Sequence, residues 1–223
     1  MKPAPTQQSI PLIINAAIMA LCLLAPARRL GWTNAWALIA LSSVSGAAAS
    51  AVISNDAGLS AERRNMRAGK RWDKPLVGFV VLIGPIATWI TAALEYRHEV
   101  GMPLVVSCVG VVIAAAGSAL MLGAMRANTF FSAVVRIQSD RGHAVVSTGP
   151  YRFVRHPGYV GMSAFMLATP LILASRWAFV PAILTVLVTI VRTALEDRTL
   201  HAELPGYHDY ARRVPYRLVP WVW

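Results

Sequence analysis

Apolar positions along this chain neither alternate nor recur every third or fourth residue; they run together in long blocks. Charge-free stretches cover Trp32–Ile53, Leu76–Leu94 and Pro103–Met125, and Trp177–Leu195 is interrupted by Arg192 alone. Each has 19 or more residues, enough at about 1.5 Å per residue to cross a hydrocarbon core of about 30 Å. Two shorter blocks, Ile10–Pro26 and Gly158–Ser175, are expected to span as well. The first is read as a retained helix, because only Lys2 precedes it and Pro26 is followed by Arg28 and Arg29, not by a small-residue cleavage site. The pattern predicts an all-α integral membrane protein of about six transmembrane helices. Residues 1–125 form a transmembrane scaffold, and 126–223 form a second unit of polar loop, helical hairpin and cytoplasmic tail.

Composition agrees: of 223 residues 56% are hydrophobic and 14% charged, where a soluble domain carries about 25% charge. The net charge of +11 bears on sidedness and gives no case for nucleic acid. With the N-terminus in the cytoplasm, 17 of the 21 Lys and Arg fall inside, and only Arg28, Arg29, Arg97 and Arg176 fall outside. Both termini are therefore expected to be cytoplasmic, with a basic face against anionic membrane lipids. Cys22 and Cys108 lie in apolar blocks without partners at metal or redox spacing, so neither a disulfide nor a metal is expected.

Small residues at Gly46–Ala51 and Ala114–Ser118 suit close helix packing. The loop Asn55–Pro75, with Glu62, Arg63, Arg64, Arg67, Lys70, Arg71, Asp73 and Lys74, is read as a membrane anchor. In Arg126–His156, two short extended pieces are expected around an Asp140–Gly142 turn. Ser175–Arg176 should leave one or two residues at the tip of the last helical hairpin. Beyond Arg192 the helix should break at Pro205–Gly206, resume through Tyr207–Val214 and stop at Pro215, with Pro220–Trp223 lying on the interface.

Candidate chemistry gathers where the polar loop meets the fifth span: Arg152, Arg155, His156, Pro157 and Tyr159. Proline at the first helical position makes His156 the cap, and the first-turn N–H groups beside two arginines suit an anion, a lipid phosphate included. Arg192, Glu196 and Leu200 share one helix face; an Arg–Glu pair at this spacing contributes only a few tenths of a kcal/mol, but an arginine within an apolar run is a site hypothesis. Tyr207 and Tyr210 suit either an interfacial belt or a ligand. There is no HExxH, Gly-x-Ser-x-Gly, GxGxxG or Walker pattern, so hydrolase, metalloenzyme and Rossmann readings lack support.

In order, Gly149-Pro150-Tyr151-Arg152-Phe153-Val154-Arg155-His156-Pro157-Gly158-Tyr159, then Arg192 with Glu196-Asp197 and Leu200, then Gly206-Tyr207, Tyr210 and Arg213-Val214-Pro215 resemble the isoprenylcysteine carboxyl methyltransferase family, which shares a carboxy-terminal module with phospholipid N-methyltransferases. The resemblance covers about residues 126–223; the amino-terminal half is similar in helix count and in Trp72-Asp73-Lys74. It implies a cytoplasmic cofactor-binding module that holds S-adenosylmethionine. Tyr151, Arg152, His156, Pro157, Tyr159, Glu196, Leu200, Tyr207 and Tyr210 would surround the cofactor, and Arg155 or Arg192 would orient an anionic acceptor. Asp197 stands where the family has a second glutamate, which leaves its role open. The acceptor would be an amphiphile, a carboxylate or lipid amine entering from the bilayer. Asn128–Phe131 and Arg136–Gln138 are candidates for its side of the site. Competing readings are an NADPH-dependent membrane sterol or enone reductase, whose ending lacks a match at Gly158–Met162, and a non-catalytic membrane scaffold.

Overall fold

A computed structural model describes residues 5–64, 68–98 and 101–223. Lys2, Arg67 and the Arg64 side chain lie outside the described residues. Helices α1 (Pro5–Ala27) and α2 (Thr33–Asn55) form a hairpin. The short α3 (Ala57–Arg64) follows, its first turn capped by Asp56, whose carboxylate accepts the N–H groups of Gly58 and Leu59 at 2.8 and 3.1 Å. Helix α4 (Asp73–Gly78) passes through a π turn (Phe79–Ile83) into α5 (Gly84–Tyr96). Then come α6 (Leu104–Ala127), α7 (Pro157–Ile172), α8 (Phe179–Glu203) and α9 (Tyr207–Arg213). No strand occurs among the described residues.

Among the described residues five spans are long and apolar enough to cross a membrane: Ser9–Ala27, Thr33–Asn55, Asp73–Tyr96, Leu104–Ala127 and Phe179–Glu203. The expected sixth, α7, is apolar but only 16 residues long. It stops at Leu173 because Ala174 takes a left-handed φ of 54°. The hairpin tip is therefore Leu173–Ala178, longer than the one or two residues expected. It is tied down by the buried Glu95 carboxylate, which accepts the Ser175 hydroxyl and the N–H groups of Arg176 and Trp177.

The apolar core lies where α1, α2, α5, α6 and α7 meet, around Leu23, Leu38, Ala92, Ala114, Ala168 and Ile172. Outer faces carry Ile13, Val44, Val112 and Leu187, all exposed, as lipid-facing surfaces require. The α6–α7 contact is the most extensive in the molecule. Gly117 and Gly161 make it possible: a Cβ on either would lie 2.6 or 2.4 Å from the other's carbonyl oxygen.

The 128–148 loop contains no paired extended pieces. Ser139–Arg141 form a 3-10 turn closed by left-handed Gly142, and the buried Gln138 amide organises it by donating to the Phe130 carbonyl at 2.8 Å. As expected, α8 runs on past the apolar block, the chain breaks at Pro205–Gly206, and α9 ends before Pro215. The tail turns back through Trp223, whose carbonyl accepts the N–H of Arg217 at 3.0 Å, and leaves Trp221 exposed.

Candidate active site

The site is built on two buried carboxylates. Asp197, on α8, is 1% exposed. Its Oδ1 accepts from Arg155 Nε (2.8 Å) and the Tyr207 hydroxyl (2.8 Å) and lies 3.2 Å from His156 Nε2; its Oδ2 accepts from Arg155 Nη2 (3.1 Å) and Arg217 Nε (2.8 Å). Arg155 spends its remaining nitrogen on the Val214 and Pro215 carbonyls, at 2.9 and 2.7 Å. Main-chain bonds from Arg155 to Tyr216 and from His156 to Arg217 continue the seam. The tail is thus stitched to the start of α7, and the residue whose role the sequence left open is the knot.

Asp73, fully buried at the start of α4, does the equivalent work for Arg192. The arginine donates to it through Nε (2.6 Å) and Nη2 (3.1 Å), and to the Ala133 carbonyl at 2.9 Å. Asp73 also accepts the Val135 N–H at 2.7 Å, and Lys70 N–H donates to the Val135 carbonyl. Among the described residues Arg192 makes no ion pair with Glu196, one turn away on the same helix. An arginine at this depth takes the carboxylate that can meet it bidentately, and that carboxylate comes from the amino-terminal half. The Asn55–Pro75 loop is accordingly more than an anchor: Glu62, 2% exposed, accepts from Ser132 and, bidentately, from Arg136 at 2.9 and 2.5 Å. The Arg136 and Ser132 hydrogen bonds hold its carboxyl below the usual range, against the effect of burial.

Between these anchors lies a cleft with about 860 Å³ of empty space, its open mouth included. Of the residues singled out from sequence, Tyr151, Arg155, His156, Tyr159, Arg192, Glu196, Leu200, Tyr207 and Tyr210 line it; Pro157 is buried beside it and Arg152 is exposed away from it. Asn128, Phe130, Phe131 and Arg136 line it too, whereas Ile137 and Gln138 do not. His156 occupies the cap position of α7 with φ −127°, but its ring goes to Asp197 instead of capping N–H groups. Phe131 covers the first turn, its ring against Gly158 where any Cβ would come within 2.7 Å.

Charge in the cleft is unevenly settled. Arg136, Arg155 and Arg192 each already hold a carboxylate. Glu196, by contrast, accepts the Tyr159 hydroxyl at 2.5 Å and makes no ion pair among the described residues. The tyrosine hydroxyls stay protonated: burial raises Tyr151, burial and then the Asp197 charge raise Tyr207, and burial pushes Tyr210 up to about 12. They serve as donors, Tyr210 to the Tyr151 carbonyl at 2.8 Å. His143, also on the wall, is stacked on Phe130 at 4.6 Å. Burial lowers its pKa, as do Arg136 and Arg141, so the ring is neutral at pH 7.

Residues 105–203, which span α6, the polar loop, α7 and α8, match the phospholipid methyltransferase family model. The chain is 29% identical over 143 residues to the protein-S-isoprenylcysteine O-methyltransferases of Mus musculus and Rattus norvegicus, and 27% to that of Homo sapiens. The resemblance to the isoprenylcysteine carboxyl methyltransferase family holds. These alignments cover 60% of this chain and 49% of each relative, so the chain spans about half the length of the mammalian proteins it matches. The whole fold is shared more widely than the sequence. A solved structure of the eukaryotic intramembrane Ras methyltransferase, isoprenylcysteine carboxyl methyltransferase, superposes with TM-score 0.55 over 98% of this chain and 87% of that one, at 15% identity. With its apolar spans, that likeness makes this an integral, multi-pass membrane protein of the isoprenylcysteine carboxyl methyltransferase fold.

Sequence reasoning missed Asp73, Glu62 and Arg217. For Asp73 a signal existed: a buried arginine must find an acid, and an aspartate stood at the start of an apolar block. Arg217 lies in a stretch whose residue pattern offers no such clue.

Proposed function

We propose that this protein transfers a methyl group from S-adenosylmethionine to an amphiphilic acceptor, a carboxylate or a lipid amine, that reaches the cleft from the bilayer. The observation that carries this reading is Glu196, a carboxylate that makes no ion pair among the described residues, in a cleft whose lining arginines are all engaged. A bound cation is favoured there, more strongly than in water because the surroundings are partly desolvated. The residues present fit the cofactor. Glu196 suits its cationic part or ribose hydroxyls, Tyr151, Tyr207, Tyr210, Leu200 and Leu204 offer an apolar slot for adenine, and Tyr159 stands at the start of α7. The cofactor supplies an electrophilic methyl on a positively charged sulfur.

The protein's own contribution is positioning and exclusion of water. Tyr159 holds Glu196 in place through its hydroxyl. Arg192, steadied by Asp73 and with its guanidinium 5.2 Å above the Tyr159 ring, orients an anionic acceptor. Arg155, expected to share that task, instead fastens the tail that closes one wall. A carboxylate acceptor needs no base in such a site. In this reading the end of the bundle that gathers Lys70, Arg136 and Arg155 is cytoplasmic, as are both termini.

Calorimetric titration of the detergent-purified protein with S-adenosylhomocysteine tests the reading, with NADPH titrated separately. Wild type should bind the first ligand, and Glu196→Gln should weaken it about tenfold to a hundredfold, the loss expected for a charged hydrogen bond. Transfer of label from the methyl donor to a prenylated cysteine or a lipid amine would then name the acceptor. Binding of NADPH alone would replace the proposal with the reductase.

A further inference from the structure

At the cleft end of the bundle, four large apolar side chains outside the spans are exposed among the described residues: Phe153, Val219, Trp221 and Val222. They come from two segments that the seam joins. Arg155 N–H donates to the Tyr216 carbonyl at 2.9 Å and His156 N–H to the Arg217 carbonyl at 3.0 Å. Phe153 stands just before the first of these bonds and Val219 just after the second, so the four belong to one patch. Its tail part is a closed hook. The Trp223 carbonyl accepts the N–H groups of Arg217 and Leu218 at 3.0 and 3.1 Å, the Val219 carbonyl accepts those of Val222 and Trp223, and the Arg217 guanidinium lies 4.8 Å from the Trp223 ring centre. Trp221, at the tip, takes a left-handed φ of 61°, a costly conformation for a bulky residue, and is 87% exposed. The hook thus holds its largest apolar side chain outward.

The level of the patch decides what covers it. Phe153 comes one turn before Pro157, where the apolar α7 begins, and the seam keeps the hook at that same level. Arg152, beside Phe153, and Arg212 and Arg213, which precede the tail, are exposed and make no ion pair among the described residues. Exposed apolar groups level with a helix start, ringed by unpaired arginines, match a leaflet's acyl boundary and its phosphates. The hook also begins at Arg217, which donates to Asp197 at 2.8 Å, so whatever holds the hook holds that knot closed. We propose that Phe153, Val219, Trp221 and Val222 insert together into the membrane leaflet at this end, as a peripheral anchor that keeps the tail on Asp197. The anchor lies outside the methyl-transfer cleft and stands independently of the reading given to it.

Spin-label accessibility of the full chain in nanodiscs of phosphatidylcholine and phosphatidylglycerol tests the proposal. With Cys22→Ala and Cys108→Ala as background, labels are placed at Val222→Cys, at Val112→Cys on the lipid-facing side of α6, and at Asp209→Cys on exposed α9. The Val222 label should collide with oxygen more than with a water-soluble nickel complex, as at Val112, while the Asp209 label shows the reverse. Nickel access at Val222 equal to that at Asp209 overturns the proposal, since the hook is then in water. Exclusion of both relaxants overturns it too, because a second copy or another protein then covers the patch. Quenching of wild-type fluorescence by brominated lipid, reduced in Trp221→Tyr, gives the same decision without the cysteine background. The hold on Asp197 is read by trypsin: in nanodiscs, Trp221→Ser should speed cleavage after Arg213 and Arg217 about tenfold, the shift expected for losing one inserted large side chain. Unchanged cleavage in a folded sample overturns that hold.

Discussion

Asp73 and Asp197 are both buried, and each holds an arginine through both its oxygens, yet they tie different things together. Asp197 gathers residues of one region: the start of α7, α9 and the tail. Asp73 reaches across 119 residues, from the first turn of α4 to Arg192 deep in α8. One knot shapes the region from α7 onward; the other joins it to the helices that precede it. The difference teaches that the amino-terminal half does more than pad the bilayer. The arginine assigned to the acceptor is held from outside the matched segment 105–203.

Breaking the knots separately sharpens that contrast. Asp197→Ala leaves two arginines buried or half-buried without a counter-charge and should cost about 5 kcal/mol, the upper end for a broken buried pair. Thermal unfolding in detergent should show it, and limited proteolysis should cut near Arg212 and Arg213 well before the rest. Asp73→Asn keeps the shape and some hydrogen bonding, so about 3 kcal/mol is expected. Its distinctive sign is weakened acceptor methylation with S-adenosylhomocysteine affinity nearly intact; equal loss of both would erase the distinction drawn here. Glu62→Gln loosens the half-buried Arg136 and should lower stability by about 1–2 kcal/mol. Next comes a pH effect. His143 has its pKa lowered in the folded chain, so unfolding takes up a proton once the pH falls below about 6.5, the ordinary histidine value. The melting temperature should therefore decline as pH drops from 6.5 towards 5.5, and His143→Gln should flatten the slope. Smallest is Lys70→Ala: the Lys70–Glu203 pair is short at 2.6 Å but open to solvent, and its removal should shift stability by less than about 0.5 kcal/mol.

Much of this was legible from the chain. Long apolar blocks foretell helices because a bilayer admits few alternatives, and five of six met the length required. Arg192, Glu196 and Leu200 share a cleft-facing stripe because helical spacing alone puts them there. The break at Pro205–Gly206 was equally local: proline cannot continue a helix, and Gly206 takes a φ of 78°. What local spacing did not show was partner choice. Arg192 passed over the acid one turn away for one 119 residues distant, a decision made by burial and bidentate geometry that no local spacing encodes. The hairpin tip failed for a similar reason, since Glu95 fixes it from another helix.

The stitched tail also sets an order of events during synthesis. Arg217 follows Asp197 by 20 residues, so at about 5–20 residues per second the aspartate waits roughly one to four seconds for its last partner. Arg192, in contrast, meets an Asp73 made long before. The inter-half joint can therefore close while the polypeptide is still emerging, and the cleft is walled only when the final stretch arrives. A nascent chain stalled before Arg217 would hold its spans in register around an unfinished pocket.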